Sequence, residues 1–113
     1  MKIITEPLSL DELNQMAAAM FGNLVKAVVD IDREIIAVDA ELHADLEALL
    51  LQEGSKQNSL WGINLYPDVQ GDEFIEFDSV INLRPAQNNR SRGVEDETVR
   101  ARITAVVTRS IQR

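Results

Sequence analysis

Ten consecutive residues, Arg84-Pro85-Ala86-Gln87-Asn88-Asn89-Arg90-Ser91-Arg92-Gly93, bring together three arginines, three carboxamides and a hydroxyl. A guanidinium forks onto carboxylate or phosphate through parallel hydrogen bonds, so this composition suits an anion. Glu95-Asp96 and an apolar-periodic run follow, which places the segment between a strand and a helix N-terminus. Unpaired N–H groups and the helix dipole favour negative charge there. Arg84, Asn88, Asn89, Arg90, Ser91 and Arg92 are therefore candidate ligands for a phosphate-bearing molecule or an acidic protein surface. The plainer alternative is a capping and turn loop whose arginines pair with Asp78, Glu76 or Glu95. Glu95 and Asp96 already place negative charge at the same helix start.

A second group surrounds the single histidine. In Glu41-Leu42-His43-Ala44-Asp45-Leu46-Glu47 a helix sets His43 one turn from Glu47 and Glu41 one turn from Asp45, the arrangement of a carboxylate-oriented base or of a solvated helix face. A third group lies on strand-like segments, where Asn64, Tyr66, Asp78 and Asn82 fall on the less apolar side. They meet in a pocket if the strand registers allow, and otherwise form the exposed face of a sheet. No phosphate-cradling glycine loop, nucleophile elbow or zinc spacing occurs. No cofactor and no metal is expected.

Composition narrows the classes further. The 113 residues contain no cysteine and one histidine, which removes disulfide frameworks, thiol nucleophiles, iron–sulfur clusters and cysteine- or histidine-rich zinc sites. A chain of this length suits one domain, residues 1–113, that folds without staples. The start, Met1 to Pro7, is too short and too soon acidic for a signal peptide, and no apolar run reaches membrane-spanning length, so a cytoplasmic protein is expected. The net charge of -8 is unevenly spread, because residues 84–113 carry seven arginines against three acids. That basic tail folds against the acidic remainder, meets a second copy of the chain, or faces an outside anion. Nucleic acid is not favoured, because the chain is acidic and no aromatic residue interleaves with the arginines to stack bases.

The elements that would carry these residues follow from spacing. Ser9 reads as an N-cap with Glu12 closing a capping box, and Leu10, Leu13, Ala17, Met20 and Phe21 form an inward stripe ended by Gly22. Leu24–Asp30 and Glu34–Val38, dense in β-branched residues, predict a hairpin whose turn lacks an Asn-Gly signature. Residues 40–53 switch to helical period, with Asp39 placed to cap the entry. Leu60–Tyr66 and Phe74–Leu83 alternate as a second hairpin, and Pro85 ends it. A third helix starts at Glu95 or Asp96, with Val99, Ile103, Val106, Val107 and Ile111 inward. With a short leading strand at Lys2–Ile4, the expected fold is α+β. Its mainly antiparallel sheet is built from two hairpins, and three helices pack on one face in the order α-ββ-α-ββ-α.

The segments Asp39-Ala40-Glu41-Leu42-His43-Ala44-Asp45, Leu60-Trp61-Gly62-Ile63-Asn64-Leu65-Tyr66-Pro67 and Ile81-Asn82-Leu83-Arg84-Pro85, running on to Asn89-Arg90-Ser91-Arg92, resemble a family of small prokaryotic proteins defined as domain of unknown function 5674. The similarity runs from about Leu24 to Ile111. It implies a stand-alone cytoplasmic protein and brings no catalytic or ligand residue with it. The expected function is an anion- or partner-binding module working through the arginine-rich loop and the last helix. One alternative is a small hydrolase-like or other enzyme using His43 and nearby acids. Another is a structural or regulatory homo-oligomer.

Overall fold

The computed structural model describes residues 1–113. In chain order it contains β1 (Lys2–Ile3), β2 (Leu8–Ser9), α1 (Leu10–Ala19), β3 (Val25–Asp30), β4 (Ile35–Val38), α2 (His43–Gln52), β5 (Leu60–Leu65), β6 (Ile75–Glu76), α3 (Glu97–Ser110) and β7 (Ile111–Gln112). Short 3₁₀ turns fill Gln57–Ser59, Gly71–Phe74, Val80–Asn82 and Pro85–Gln87. Five strands form an antiparallel sheet in the order β1-β4-β3-β5-β6, and the expected leading strand, β1, takes one edge. A separate parallel pair, β2 with β7, ties Leu8 to Ile111 and so holds the two ends of the chain together.

Local chemistry explains the boundaries. Ser9 Oγ accepts the Glu12 N–H at 3.1 Å, and its hydroxyl donates to Glu12 Oε1 at 3.2 Å, so the capping pair closes through side chains. Gly22, at φ 92°, sends its N–H to the Ala17 carbonyl and turns the chain out of α1. Asp96 Oδ1 accepts from Thr98 and Val99 N–H at 2.8 and 3.1 Å, so of the two proposed caps for α3 it is Asp96 that serves. Asp39 does not cap α2: it sits at φ 74° three residues before the actual N-cap, Leu42, which offers no side-chain bond.

Two expectations are corrected. The helices do not share one face. Strand β3 is buried on both sides, with Ala27 and Val29 packing towards Leu13, Ala17, Ile103, Val106 and Val107 of α1 and α3, while Val28 packs towards Leu46 and Leu50 of α2. The result is three layers, helix on sheet on helix, because a central strand that is apolar on both faces must be covered twice. The second correction is that Phe74–Leu83 is not one strand. Pairing with β5 stops after Glu76, and Val80–Asn82 turns instead. In α1 the stripe also ends early, with Met20 and Phe21 about 40% exposed.

Trp61 and the valines of α3 finish inside one chain, with Trp61 only 4% exposed and Val106 and Val107 at 1% and 2%. Each fully buried aliphatic side chain of this core contributes about 1.5–3 kcal/mol relative to exposure.

Candidate functional site

The β3–β4 turn shows how acids are used here. Buried Asp30 accepts the N–H groups of Asp32 and Arg33 at 2.9 and 3.0 Å and the Ser55 hydroxyl at 2.6 Å, replacing the missing Asn-Gly signature. Beside that turn, Arg102 of α3 donates to the Ile31 carbonyl and to Asp32. Arg109 faces Glu34 at 3.5 Å. Arg100 and Arg113 lie over the rings of Phe77 and Phe74 at 4.4 and 4.2 Å. The arginines of the last helix are therefore engaged with their own chain.

The three arginines of the loop point to different partners. Arg84 turns inward, donating to the backbone carbonyls of Gln57 and Leu60 while its guanidinium covers the Trp61 ring at 4.1 Å. Arg92 Nε donates to Asp78 Oδ1 at 2.7 Å. Arg90 is exposed, and its backbone N–H, not its guanidinium, bonds Glu95. The amides of the same loop are structural. Asn89, 2% exposed, donates to the carbonyls of Asn82, Ser91 and Gly93 and accepts the Glu95 N–H. Asn82, fully buried, bonds the Gly62 backbone twice and the Arg92 carbonyl once. Ser91 Oγ accepts the Gly93 N–H, and Asn88 occupies the left-handed turn position at φ 61°. Of the six loop candidates, only Arg92 lines the cleft described next.

That cleft, about 540 Å³, opens between the N-terminus of α2, the end of β5 and the segment 76–81, and it brings together residues from separate candidate groups. His43, Asn64, Asp78 and Arg92 all line it, joined by Lys26, Tyr66, Glu76 and Ser79. Asn82, grouped with Asn64 on sequence, lies behind it. Close approach makes the cleft possible: a Cβ at Gly62 would stand 2.5 Å from Ser79 Cβ and 3.2 Å from His43 Cδ2, so only glycine lets segment 79 and α2 meet over β5.

Its hydrogen bonding is partly committed. Glu76 Oε1 accepts from Asn64 Nδ2 at 2.9 Å and from the Tyr66 hydroxyl at 2.8 Å. Asn64 Nδ2 also approaches the Asp78 carbonyl at 3.4 Å. With both neighbours acceptors, the amide orientation is fixed, and Oδ1 is left buried with no partner. His43 Nε2 lies 2.8 Å from the Ile63 carbonyl, which requires a proton on Nε2 and leaves Nδ1 as an acceptor in the neutral ring. Burial first, with Lys26 nearby, holds the His43 pKa below its usual value and keeps the ring neutral at pH 7. Burial and the neighbouring Glu76 push the Tyr66 hydroxyl above its usual range, so it remains a donor.

Lys26 rests over the Phe21 ring at 5.0 Å. The mouth of the cleft is apolar, with Leu42 and Val80 56% and 62% exposed. Sequence reasoning missed Lys26 and Glu76 as site residues because nothing in their local spacing points to His43; only the β3–β5 and β5–β6 registers, Lys26 opposite Asn64 opposite Glu76, align the three.

Nothing in this arrangement joins an activated nucleophile to His43. Ser79 is 1% exposed and its oxygen accepts the Ile81 N–H, so it serves as a turn cap. No group of three or more histidine, cysteine, aspartate or glutamate side chains is placed to hold a metal ion. No helix is long and apolar enough to cross a membrane.

These features define an α+β protein with two helices on one face of an antiparallel sheet, a third on the other, and a mixed-charge cleft at the end of its central strands. The chain belongs to the family described as protein of unknown function DUF5674, whose model matches residues 2–110. No curated protein and no solved structure matches it.

Proposed function

We propose that the protein binds a small zwitterion of the amino-acid type, with an apolar side chain, in the cleft at His43 and Asn64. The observation that carries this reading is Asn64. Its carboxamide is held from one side by Glu76 and the Asp78 carbonyl, and it keeps a buried acceptor, Oδ1, for a donor from outside the chain. An unmet buried acceptor costs roughly 1–3 kcal/mol, which a bound ammonium group would recover. The carboxylate of Glu76 and the lone pair on His43 Nδ1 favour the same cation. Arg92 is already paired with Asp78, whereas Lys26 has no carboxylate partner in the chain and supplies positive charge for the other end of a zwitterion. Leu42 and Val80 at the mouth suit an aliphatic or aromatic side chain.

This reading moves the binding site from the arginine loop to the cleft and keeps Arg92 as the one loop residue within it. Thermal-shift measurements with L-leucine and L-phenylalanine at millimolar concentration test the reading. It expects a rise in Tm that N-acetyl-leucine and leucinamide, each lacking one charge, do not give. It also expects that rise to vanish in Lys26→Ala and Asn64→Ala. Stabilisation by phosphate or sulfate that is lost in Arg90→Ala and Arg92→Ala would instead restore the arginine-loop reading.

A further inference from the structure

A second cavity, about 380 Å³, lies on the other side of β5, between Trp61, Asn58, Gln87, Asn88, Asp96 and the first turn of α3. Trp61 is buried, and its indole Nε1–H has no acceptor. The Arg84 guanidinium stacked on that ring bonds through its two terminal nitrogens to Gln57 and Leu60, while its Nε–H is also buried without a partner. Of these two unmet donors the indole N–H belongs to a residue that lines the cavity, and an acceptor oxygen there would satisfy it. The rest of the lining decides which kind. Glu95 and Asp96 make it negative, which disfavours an anion, and Asp96 spends only Oδ1 on capping α3, so Oδ2 is free to accept. Ile31, Val99 and the indole supply an apolar wall. Gln87 and Asn88, both exposed, form its outer side, where Gln87 Nε2 donates to the Asn58 carbonyl.

We infer that this cavity is a second binding site, for a neutral planar amide or ureide such as a nucleobase. Its carbonyl takes the Trp61 indole N–H, and its own N–H donates to Asp96. The inference stands apart from the cleft at His43, which lies on different residues.

Trp61 is the only tryptophan in the chain, so the site reports on itself. In a ¹H–¹⁵N spectrum the single indole N–H resonance is followed while uracil is added, with acetamide as a smaller amide and benzene as an apolar control. The expected result is a saturable downfield shift with uracil, a weaker one with acetamide and none with benzene. Asp96→Asn, which keeps the helix cap, should weaken uracil binding about tenfold, in line with loss of one hydrogen bond to a charged group. An indole resonance that stays in place up to the solubility limit of uracil overturns the inference. So does an uracil shift that Asp96→Asn leaves unchanged. A persistent exchange contact between the indole N–H and one bound water, with no response to uracil, also overturns it.

Discussion

Asn82 gives Gly62 the two hydrogen bonds that a neighbouring strand would have given. Its Oδ1 accepts the Gly62 N–H at 2.8 Å, and its Nδ2 donates to the Gly62 carbonyl at 2.9 Å. Strand β6 pairs only with Asn64 and Leu65, so without this carboxamide the buried middle of β5 would face the interior unpaired. The same Nδ2 reaches the Arg92 carbonyl at 2.9 Å and fastens the loop 84–93 to the sheet. Asn82 thus shares with the Ser79 N–H, which bonds the same Arg92 carbonyl at 2.9 Å, the fastening of the side of the cleft that carries Asp78 and Arg92.

Removing that carboxamide should be costly. Asn82→Ala leaves the Gly62 N–H and C=O buried and unpaired, each worth roughly 1–3 kcal/mol, so a loss of about 3 kcal/mol is expected in chemical denaturation. Gly62→Ala should destabilise by about 1–3 kcal/mol, because its Cβ meets that of Ser79 and the backbone must shift. A Gly62→Ala variant as stable as the parent would show that segment 79 does not rest on β5.

Arginines with the same formal charge should behave very differently. Arg84→Ala removes two charge-assisted bonds to carbonyls and a stacked cation from Trp61, and should lower stability by about 2–3 kcal/mol with a change in tryptophan emission. Arg90→Ala, at an exposed guanidinium with no partner, should stay within about 0.5 kcal/mol of the parent. Equal effects from the two would contradict the inward placement of Arg84.

The histidine should leave a mark on the pH profile. Burial lowers the His43 pKa below 6.5, so the unfolded chain takes up this proton at a higher pH than the folded chain does. The stability tied to neutral His43 is thus complete above pH 6.5 and is lost as pH falls below it, levelling off beneath the depressed folded value. Urea denaturation from pH 7.5 down to 5, repeated with His43→Gln, checks this. The slope below 6.5 should flatten in the variant, and a slope that survives it belongs to another group.

Much of the scaffold is written in local pattern. The Ser9–Glu12 pair, the Asp96 cap and the β-branched hairpin all act within a few residues, and periodicity reveals them. What spacing does not carry is which face a strand presents to which helix. Val28 and Val29 look alike in sequence, yet one packs under α2 and the other under α1 and α3, so the second helical layer was invisible. Segment 77–83 alternates like a strand, but Ser79 caps a turn there, and the carboxamide of Asn82 takes the ladder bonds. Asn89 and Arg84 look like ligand residues because buried staples and ligand contacts use the same amides and guanidinium groups. Asn64 and Asp78 were legible as polar residues on apolar strand-like segments, and His43 as the single histidine among helix carboxylates. That they share one cleft with Lys26 and Glu76 depends on registers between strands far apart in the chain.

The cleft itself is tested most directly by titrating L-leucine into the ¹⁵N-labelled protein and following backbone and side-chain amide resonances. Saturable shifts confined to Lys26, His43, Ala44, the Asn64 carboxamide and Tyr66, absent with N-acetyl-leucine amide, are the predicted result. Resonances of these residues that stay still, while those of Arg90 and Ser91 move, would contradict it.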